Sequence, residues 1–392
     1  MHKIVNKLAI ITTHPIQYYA PIFRLLNSEY EIEIKVFYTW SQSKEGIKYD
    51  PGFGKKIEWD IPLLDGYDFT FVKNTSAKPG SHHFFGIKNP TLIPEIESWK
   101  PDAVLVIGWS FVSHLQCIRY FHKKIPVLFR GDSTLLDEGP GIKTMLRRLF
   151  LKWVYSHVDV AFYVGTNNKV YFLKHGLKNE QLVFAPHAVD NGRFGENAAY
   201  KKMEALAWRS KLGIAASDLV FLFAGKLEPK KNPAILIESF SEIKNEKIKL
   251  VLLGDGILKE QLKSLSKNDE RISFVEFQNQ QEMPVVYRMA DVFVLPSKGP
   301  GETWGLAVNE AMACGRAILV SDKVGCAADL VADGKNGYIF RSNDIASLKE
   351  KINKLVSNKN GLAEMGKASA ALINEWNFEA IASAVKNVLK QA

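Results

Sequence analysis

Glu302 and Glu310, with seven residues between them, flank the start of a strong helix-forming stretch. The segment reads Pro296-Ser297-Lys298-Gly299-Pro300-Gly301-Glu302-Thr303-Trp304-Gly305, then Leu306 to Ala313 and Cys314-Gly315. The apolar run Val292 to Leu295 before it has the length and composition of a buried parallel strand. A strand, a loop rich in Gly and Pro, and a helix aim the helix's first amides beyond the sheet edge. Those amides and the helix dipole favour an anion, above all a phosphate. A carboxylate is a poor partner for phosphate but a good acceptor for sugar hydroxyls. The combination suits an anionic centre with polyols on both sides, which describes a nucleotide-diphosphate sugar.

Two further loops point the same way, because doubly wound sheets bind ligands at the carboxyl ends of their strands. The run Leu219 to Phe223 leads to Gly225-Lys226-Leu227-Glu228-Pro229-Lys230-Lys231-Asn232. Gly225 lets the backbone turn away, and Lys226 and Lys231 are expected in a solvent-facing loop, free to converge on a diphosphate. The run Lys249 to Leu253 leads to Gly254-Asp255-Gly256, a tight turn into a helix. A lysine after a strand is most often only solvated. Three consecutive loops suited to phosphate or hydroxyls form a pattern.

Short apolar runs and amphipathic stretches must position these loops. The chain has 392 residues, too many for one compact core, with 46% hydrophobic and 24% charged residues, as in a globular protein. Strands are expected at Leu8 to Thr12, Ile32 to Phe37, Ala103 to Ile107, Pro126 to Phe129 and Val158 to Tyr163. A second series covers Leu219 to Phe223, Lys249 to Leu253, Ile272 to Val275, Val292 to Leu295 and Ala317 to Val320. Helical patterns alternate with them and close the chain from Ile345 onward, so both halves are α/β with parallel sheets. The expected domains are 1–195 and 196–376, with the polar stretch Asn191 to Tyr200 as hinge. Residues 39–88 show little periodicity and are expected to hold long loops.

The formal net charge of +9 calls for a negatively charged partner. Nucleic acid is disfavoured, since the basic residues form no aromatic-interleaved binding motif. Lys143, Arg147, Arg148 and Lys152 alternate with Met145, Leu146, Leu149, Phe150 and Trp153 at helical spacing. That pattern fits a helix lying on anionic lipid, or equally a solvated basic face over a core. No apolar run has the ~18 residues of a membrane span, and no signal-peptide core is present. Cys117, Cys314 and Cys326 lack metal-ligand spacing and read as reduced core thiols, which places the chain in the cytoplasm. No paired aspartates are placed to hold a metal.

In order and spacing these residues resemble the retaining glycosyltransferases of family four, glycosyl transferases group 1. The matching pieces are Gly225-Lys226-Leu227 with Lys231, Gly254-Asp255-Gly256, Glu302 to Glu310 with Ala311-Met312-Ala313, and Asp333-Gly334 with Asn336-Gly337. The resemblance is firm over the last half of the chain and topological over the first. It implies the GT-B fold: two facing Rossmann-like, doubly wound parallel-sheet domains, with the C-terminal helix, 377–392, returning to the first. It implies that Lys226 and Lys231 clamp the donor diphosphate, assisted by amides near Gly305 and Leu306. Glu310 would accept from the ribose hydroxyls, Glu302 would lie by the donor sugar, and the loop after Phe277 would border the base. Gly225 and Gly254 would line the donor site. Trp376 and Phe378 resemble the segment leading into the returning helix.

The departures concern charge and the first domain. Lys226 stands where the family usually has Arg, so a bidentate fork becomes a point charge. His14-Pro15-Ile16-Gln17-Tyr18-Tyr19 replaces a glycine-rich first loop. Gly131, in Arg130-Gly131-Asp132-Ser133, stands where many members place a His beside the donor sugar. His14, Arg130 and Asp132 are therefore the acceptor-side candidates, with His14 equally readable as a loop-packing residue.

The resulting expectation is a retaining, metal-independent glycosyltransferase needing no cofactor beyond its nucleotide-sugar donor. Its acceptor would be a glycan or lipid-linked glycan in cell-surface polysaccharide synthesis, reached from the cytoplasm and the inner face of the membrane. The resemblance implies a front-face route in which the leaving phosphate takes the acceptor's proton. A catalytically silent nucleotide-sugar-binding module and a GT-B nucleotide-sugar epimerase are the alternatives.

Overall fold

The computed structural model describes residues 7–40, 47–50, 55–267 and 269–391. These form two compact units. One holds the described residues up to Lys48, Ile61–His187 and the chain from Phe378; the other holds Tyr49–Asp60 and Ala188–Asn377.

The first unit begins β1 (Lys7–Thr12), α1 (Ala20–Ser28), β2 (Glu33–Tyr38). A small two-stranded sheet, β3 (Ile47–Asp50) with β4 (Lys55–Glu58), comes next in the chain, and from Tyr49 it is counted with the second unit. Then follow β5 (Asp68–Phe71), α2 (Leu92–Trp99), β6 (Ala103–Ile107), α3 (Val112–Phe121), β7 (Val127–Arg130), α4 (Ile142–Tyr155), β8 (Val160–Tyr163), α5 (Thr166–Lys174) and β9 (Leu182–Phe184). The large sheet runs in the order β5-β2-β1-β6-β7-β8-β9. Its central strands are buried on both faces, which is why they read as unbroken apolar runs.

The second unit contains α6 (Asn191–Gly195), α7 (Ala198–Lys211), β10 (Leu219–Ala224), α8 (Ala234–Glu242), β11 (Ile248–Leu253), α9 (Lys259–Leu265) and β12 (Ile272–Val275). It continues α10 (Met283–Met289), β13 (Val292–Leu295), α11 (Leu306–Ala313), β14 (Ala317–Ser321), α12 (Ala327–Leu330), β15 (Gly337–Phe340), α13 (Ile345–Ser357) and α14 (Leu362–Ile373). Its sheet order is β12-β11-β10-β13-β14-β15, all parallel. Chain direction across the sheet reverses between β10 and β13, the topological switch point of a doubly wound fold. The last helix, α15 (Phe378–Gln391), belongs to the first unit, where Tyr30 and Ser383 share a 2.8 Å hydroxyl contact.

Three expectations are refined. Residues 39–88 hold loops as expected, and short strands as well. They hold β3, β4 and β5, while 41–46 and 51–54 lie outside the described residues. β5 is a half-buried edge strand whose identity comes from partners: it registers on β2, and Phe71 stacks on Tyr38 at 5.2 Å. The stretch Asn191 to Tyr200, expected as the hinge, is largely helical and belongs to the second unit. Asp190 caps α6 by accepting from Arg193 N at 2.9 Å, and Phe194 is fully buried. In α4 the faces are reversed from a helix laid over a core. Leu151, Val154 and Tyr155 are buried, whereas Met145, Leu146, Leu149, Phe150 and Trp153 point outward. Arg148 is occupied by Glu138 at 2.9 Å, and the Arg147 guanidinium lies 6.0 Å from the Tyr171 ring centroid.

At the switch point of the first unit a buried histidine joins strand ends. His114 on α3 has Nδ1 2.9 Å from Gly108 O and Nε2 2.9 Å from Thr39 Oγ1. The carbonyl can only accept, so Nδ1 carries the proton and Nε2 accepts from the threonine hydroxyl. Burial lowers the His114 pKa to about 4 from 6.5, against the opposing pull of the backbone carbonyls. A depressed histidine leaves the folded chain holding fewer protons than the unfolded one. Stability is therefore complete above the unfolded pKa and is lost as pH falls through the window from 6.5 towards 4. Urea unfolding at pH 7 and pH 5 should show the parent losing about 2 kcal/mol more than His114→Gln does. Equal losses in both proteins would remove His114 from the acid response.

Candidate functional site

The site residues of the second unit gather at the carboxyl edge of its sheet, around the switch point. The loop after β10 carries Lys226 and ends in a turn of 3-10 helix, Pro229–Lys231. The loop after β13 carries Glu302. Where the two loops meet, Lys231 Nζ lies 2.5 Å from Glu302 Oε2, and Ser297 Oγ donates to the same oxygen at 2.8 Å. The Glu302 side chain is 7% exposed and that of Lys231 19%. Lys231 is thus not the solvent-facing lysine expected but half of a largely buried ion pair. A buried carboxylate must be compensated by charge and hydrogen bonds, and this one has both. Ser297 is itself held, its carbonyl accepting from the hydroxyls of Ser321 and Ser342.

The glycines at this edge answer to close approach. A Cβ on Gly254 would lie 2.0 Å from Gly225 O, so the first two loops cross backbone to backbone. Gly305 caps α11 at φ +100°, and a Cβ there would meet Val324 Cγ1 at 2.9 Å and Leu295 Cδ2 at 3.0 Å. Only glycine allows the loop to turn this tightly into the helix that begins at Leu306. The same construction puts Glu302 Oε1 3.7 Å from that Cβ position, so the carboxylate borders the helix N-terminus. The first amides of any helix lack intrahelical partners and are available to an anion.

Glu310 lies one face further in, buried, with Oε2 accepting from the Tyr287 hydroxyl at 2.6 Å. Phe277, beyond β12, is at the same sheet edge, its amide 3.4 Å from Asp255 Oδ2. Asp255 is also paired with Lys259 at 2.7 Å, which fixes the Gly254–Gly256 turn. Trp304 is buried, donates from Nε1 to Asn309 Oδ1 at 2.9 Å, and packs on Trp376 with ring centroids 5.3 Å apart. Sequence reasoning missed Ser297, Tyr287, Asn309 and the Trp304 contact. Nothing local marks a serine or tyrosine as a carboxylate partner, because the pairing spans separate loops and helices.

In the first unit the acceptor-side candidates fare differently. Arg130, at the end of β7, is buried and donates to Ala185 O at 2.8 Å and Pro186 O at 2.7 Å. It braces the chain after β9, which its position alone did not reveal. Tyr19 of the first loop lies against it; burial raises the tyrosine's pKa, and the Arg130 guanidinium offsets this. Asp132 Oδ2 is 3.6 Å from Nε2 of the buried His187, a histidine that the sequence resemblance marks only as part of the interdomain junction. Burial lowers the His187 pKa, while Asp132 pulls it back up. His14 Nδ1 is 3.0 Å from Thr13 Oγ1. Among the described residues no three His, Cys, Asp or Glu side chains gather as a metal would require.

Comparison with known proteins gives a consistent result. The family described as glycosyl transferases group 1 matches residues 205–371, which include every second-unit residue named above from Lys226 to Glu310. Spore coat protein SA of Bacillus subtilis is 31% identical over 292 residues, 71% of this chain and 70% of that protein. The lipopolysaccharide 1,2-N-acetylglucosaminetransferase of Salmonella typhimurium is 28% identical over 232 residues, 56% of this chain and 60% of that protein. In fold, the chain is similar to the Anabaena protein HepE crystallised with UDP and glucose. The TM-score is 0.72 at 17% identity, covering 98% of this chain and 100% of that one.

The buried pair predicts an asymmetric response to mutation. Lys231→Ala strands the Glu302 carboxylate and should destabilise the protein by about 3–5 kcal/mol. Adding Glu302→Gln to that variant removes the stranded charge and should restore most of the loss. Chemical denaturation of the parent, single and double variants measures both numbers; no recovery in the double variant would mean that the pair is not what holds the loops.

Proposed function

This chain belongs to the glycosyl transferases group 1 family and has the GT-B fold, and on that premise we propose that it is a retaining, metal-independent glycosyltransferase. It moves a sugar from a nucleotide-diphosphate donor to a glycan or lipid-linked glycan acceptor in cell-surface polysaccharide synthesis. The observation that supports this reading best is the Glu302 carboxylate set between Lys231 and the start of α11. One edge thereby offers hydroxyl acceptors and diphosphate donors side by side.

In this reading Lys226, Lys231 and the first amides of α11 receive the diphosphate. Lys231 has a carboxylate partner already, so its role is to hold Glu302 in place as well as to meet a phosphate oxygen. Glu302 accepts from hydroxyls of the donor sugar and offsets positive charge growing at its anomeric carbon. Glu310, oriented by Tyr287, accepts from the ribose, and Phe277 borders the base. The bond from the anomeric carbon to the diphosphate breaks, and the acceptor oxygen bonds to the same face. The acceptor's proton passes to the leaving phosphate oxygen. Cationic side chains and fixed amides supply the electrostatic stabilisation that this charge separation needs.

Support for the acceptor class comes from the Salmonella relative, which is named for lipopolysaccharide. The bound UDP and glucose of the Anabaena structure support the donor class only as far as the shared fold allows.

A thermal-shift panel of nucleotide-diphosphate sugars tests the reading. The right donor at a hundred times its dissociation constant should stabilise the parent by ~2.7 kcal/mol. Lys226→Ala should lose most of that stabilisation, whereas Lys226→Arg should keep it. Slow hydrolysis of that donor without acceptor separates an enzyme from a silent binding module. The sugar released or transferred should keep its anomeric configuration by NMR, and turnover should survive EDTA. Inverted product, or activity abolished by EDTA and restored by manganese, contradicts the mechanism.

A further inference from the structure

Helix α4 presents an apolar face that its unit leaves largely open to solvent. Ile142, Met145, Leu146, Leu149, Phe150 and Trp153 fall at helical spacing along one side, and they are 74%, 56%, 57%, 58%, 39% and 41% exposed. Large side chains so exposed, in one continuous stripe about 17 Å long, mark a surface that meets another apolar phase. We propose that this face of α4 inserts into the interfacial layer of an anionic lipid bilayer.

Charge selects the lipid over other occupants. The helix carries Lys143, Arg147, Arg148 and Lys152 and no acidic residue. Arg148 is spent on Glu138, but Lys143, Arg147 and Lys152 remain exposed beside the stripe, and the Arg119 guanidinium sits 5.3 Å from the Trp153 ring centroid. Cations beside an exposed apolar ridge with a terminal tryptophan match the depth profile of an interfacial helix, with charges at the headgroups and hydrocarbon below. A second copy of this chain would bring two such cationic helices face to face. The surface is also a single convex helix rather than a groove, which suits a plane better than a peptide.

The stripe leads to the sheet edge. Trp109, just beyond β6, packs on Phe150 with centroids 5.5 Å apart, and Phe150 packs on Trp153 at 5.6 Å. An aromatic path thus joins the inserted face to the carboxyl ends of the first unit's strands. The contact is apolar at its centre and electrostatic at its rim. Its purpose, bringing a lipid-linked acceptor to the strand ends, rests on the proposed glycosyl transfer; the binding itself does not.

Vesicle flotation of the full chain, without donor or acceptor, tests it. The parent should float with phosphatidylglycerol-containing vesicles and not with phosphatidylcholine alone. Met145→Ser/Leu146→Ser/Leu149→Ser should bind at least about tenfold more weakly even at low salt. Lys143→Gln/Arg147→Gln/Lys152→Gln should weaken binding and flatten its salt dependence. The three native cysteines are buried, so Leu146→Cys can be labelled alone with an environment-sensitive dye. Its emission should shift to the blue on adding anionic vesicles. Undiminished flotation of the serine variant, or an unshifted dye, overturns the proposal. So does a parent that does not float but dimerises in the ultracentrifuge and becomes monomeric on serine substitution. Because no donor is present, these results stand whether or not the transferase reading does.

Discussion

A carboxylate taken out of water must be given a counter-charge, and much of the second unit's loop architecture meets that requirement at Glu302. Lys231 comes to it from the loop after β10, and Ser297 from the end of β13. Those two strands flank the switch point, the one place where neighbouring loops diverge and leave space between them. The pair therefore ties together the two sides of the crevice in which a ligand would lie. The crossing of Gly225 and Gly254 and the tight turn at Gly305 bring the backbones close enough for this to happen.

Both units have the same strand order about the switch point, yet they furnish it differently. The second unit puts charge there. The first puts a neutral buried histidine, His114, bonded to the backbone after β6 and to the threonine after β2. Its arginine at the end of β7 is turned inward to hold carbonyls. Lys231 and Glu302 border a helix start and so suit the ligand proposed for that edge, whereas two of the Arg130 guanidinium nitrogens end on backbone carbonyls.

The outward face of α4 shows the same economy in reverse. Leaving large apolar side chains in water weakens folding relative to burying them, and the buried anchors of the helix are Leu151, Val154 and Tyr155. Such a face is stable as drawn only because the rest of the unit has a sufficient core. What it gains is reach, since a convex apolar ridge can contact a flat phase without rearrangement.

Much of this was legible from residue order. The strands at Ala103–Ile107 and Val292–Leu295 and the helix at Leu306–Ala313 match the expected bounds, the strands because burial on both sides of a parallel sheet leaves an unmistakable run. The loop chemistry was legible too: glycines where backbones nearly touch, and glutamates beside a helix start. What only the tertiary structure decided is where side chains find partners. Lys231 looked solvated until Glu302 came within 2.5 Å, from a loop 71 positions along the chain. Tyr287 gave no local hint of orienting Glu310, nor Arg130 of bracing Ala185 and Pro186. Edge strand β5 takes its conformation from β2 rather than from its own four residues. The amphipathic pattern of α4 was plain, but periodicity states only that a helix has two faces. Which one turns to the core is set by the neighbours that pack against it, and these are contacts no local pattern encodes.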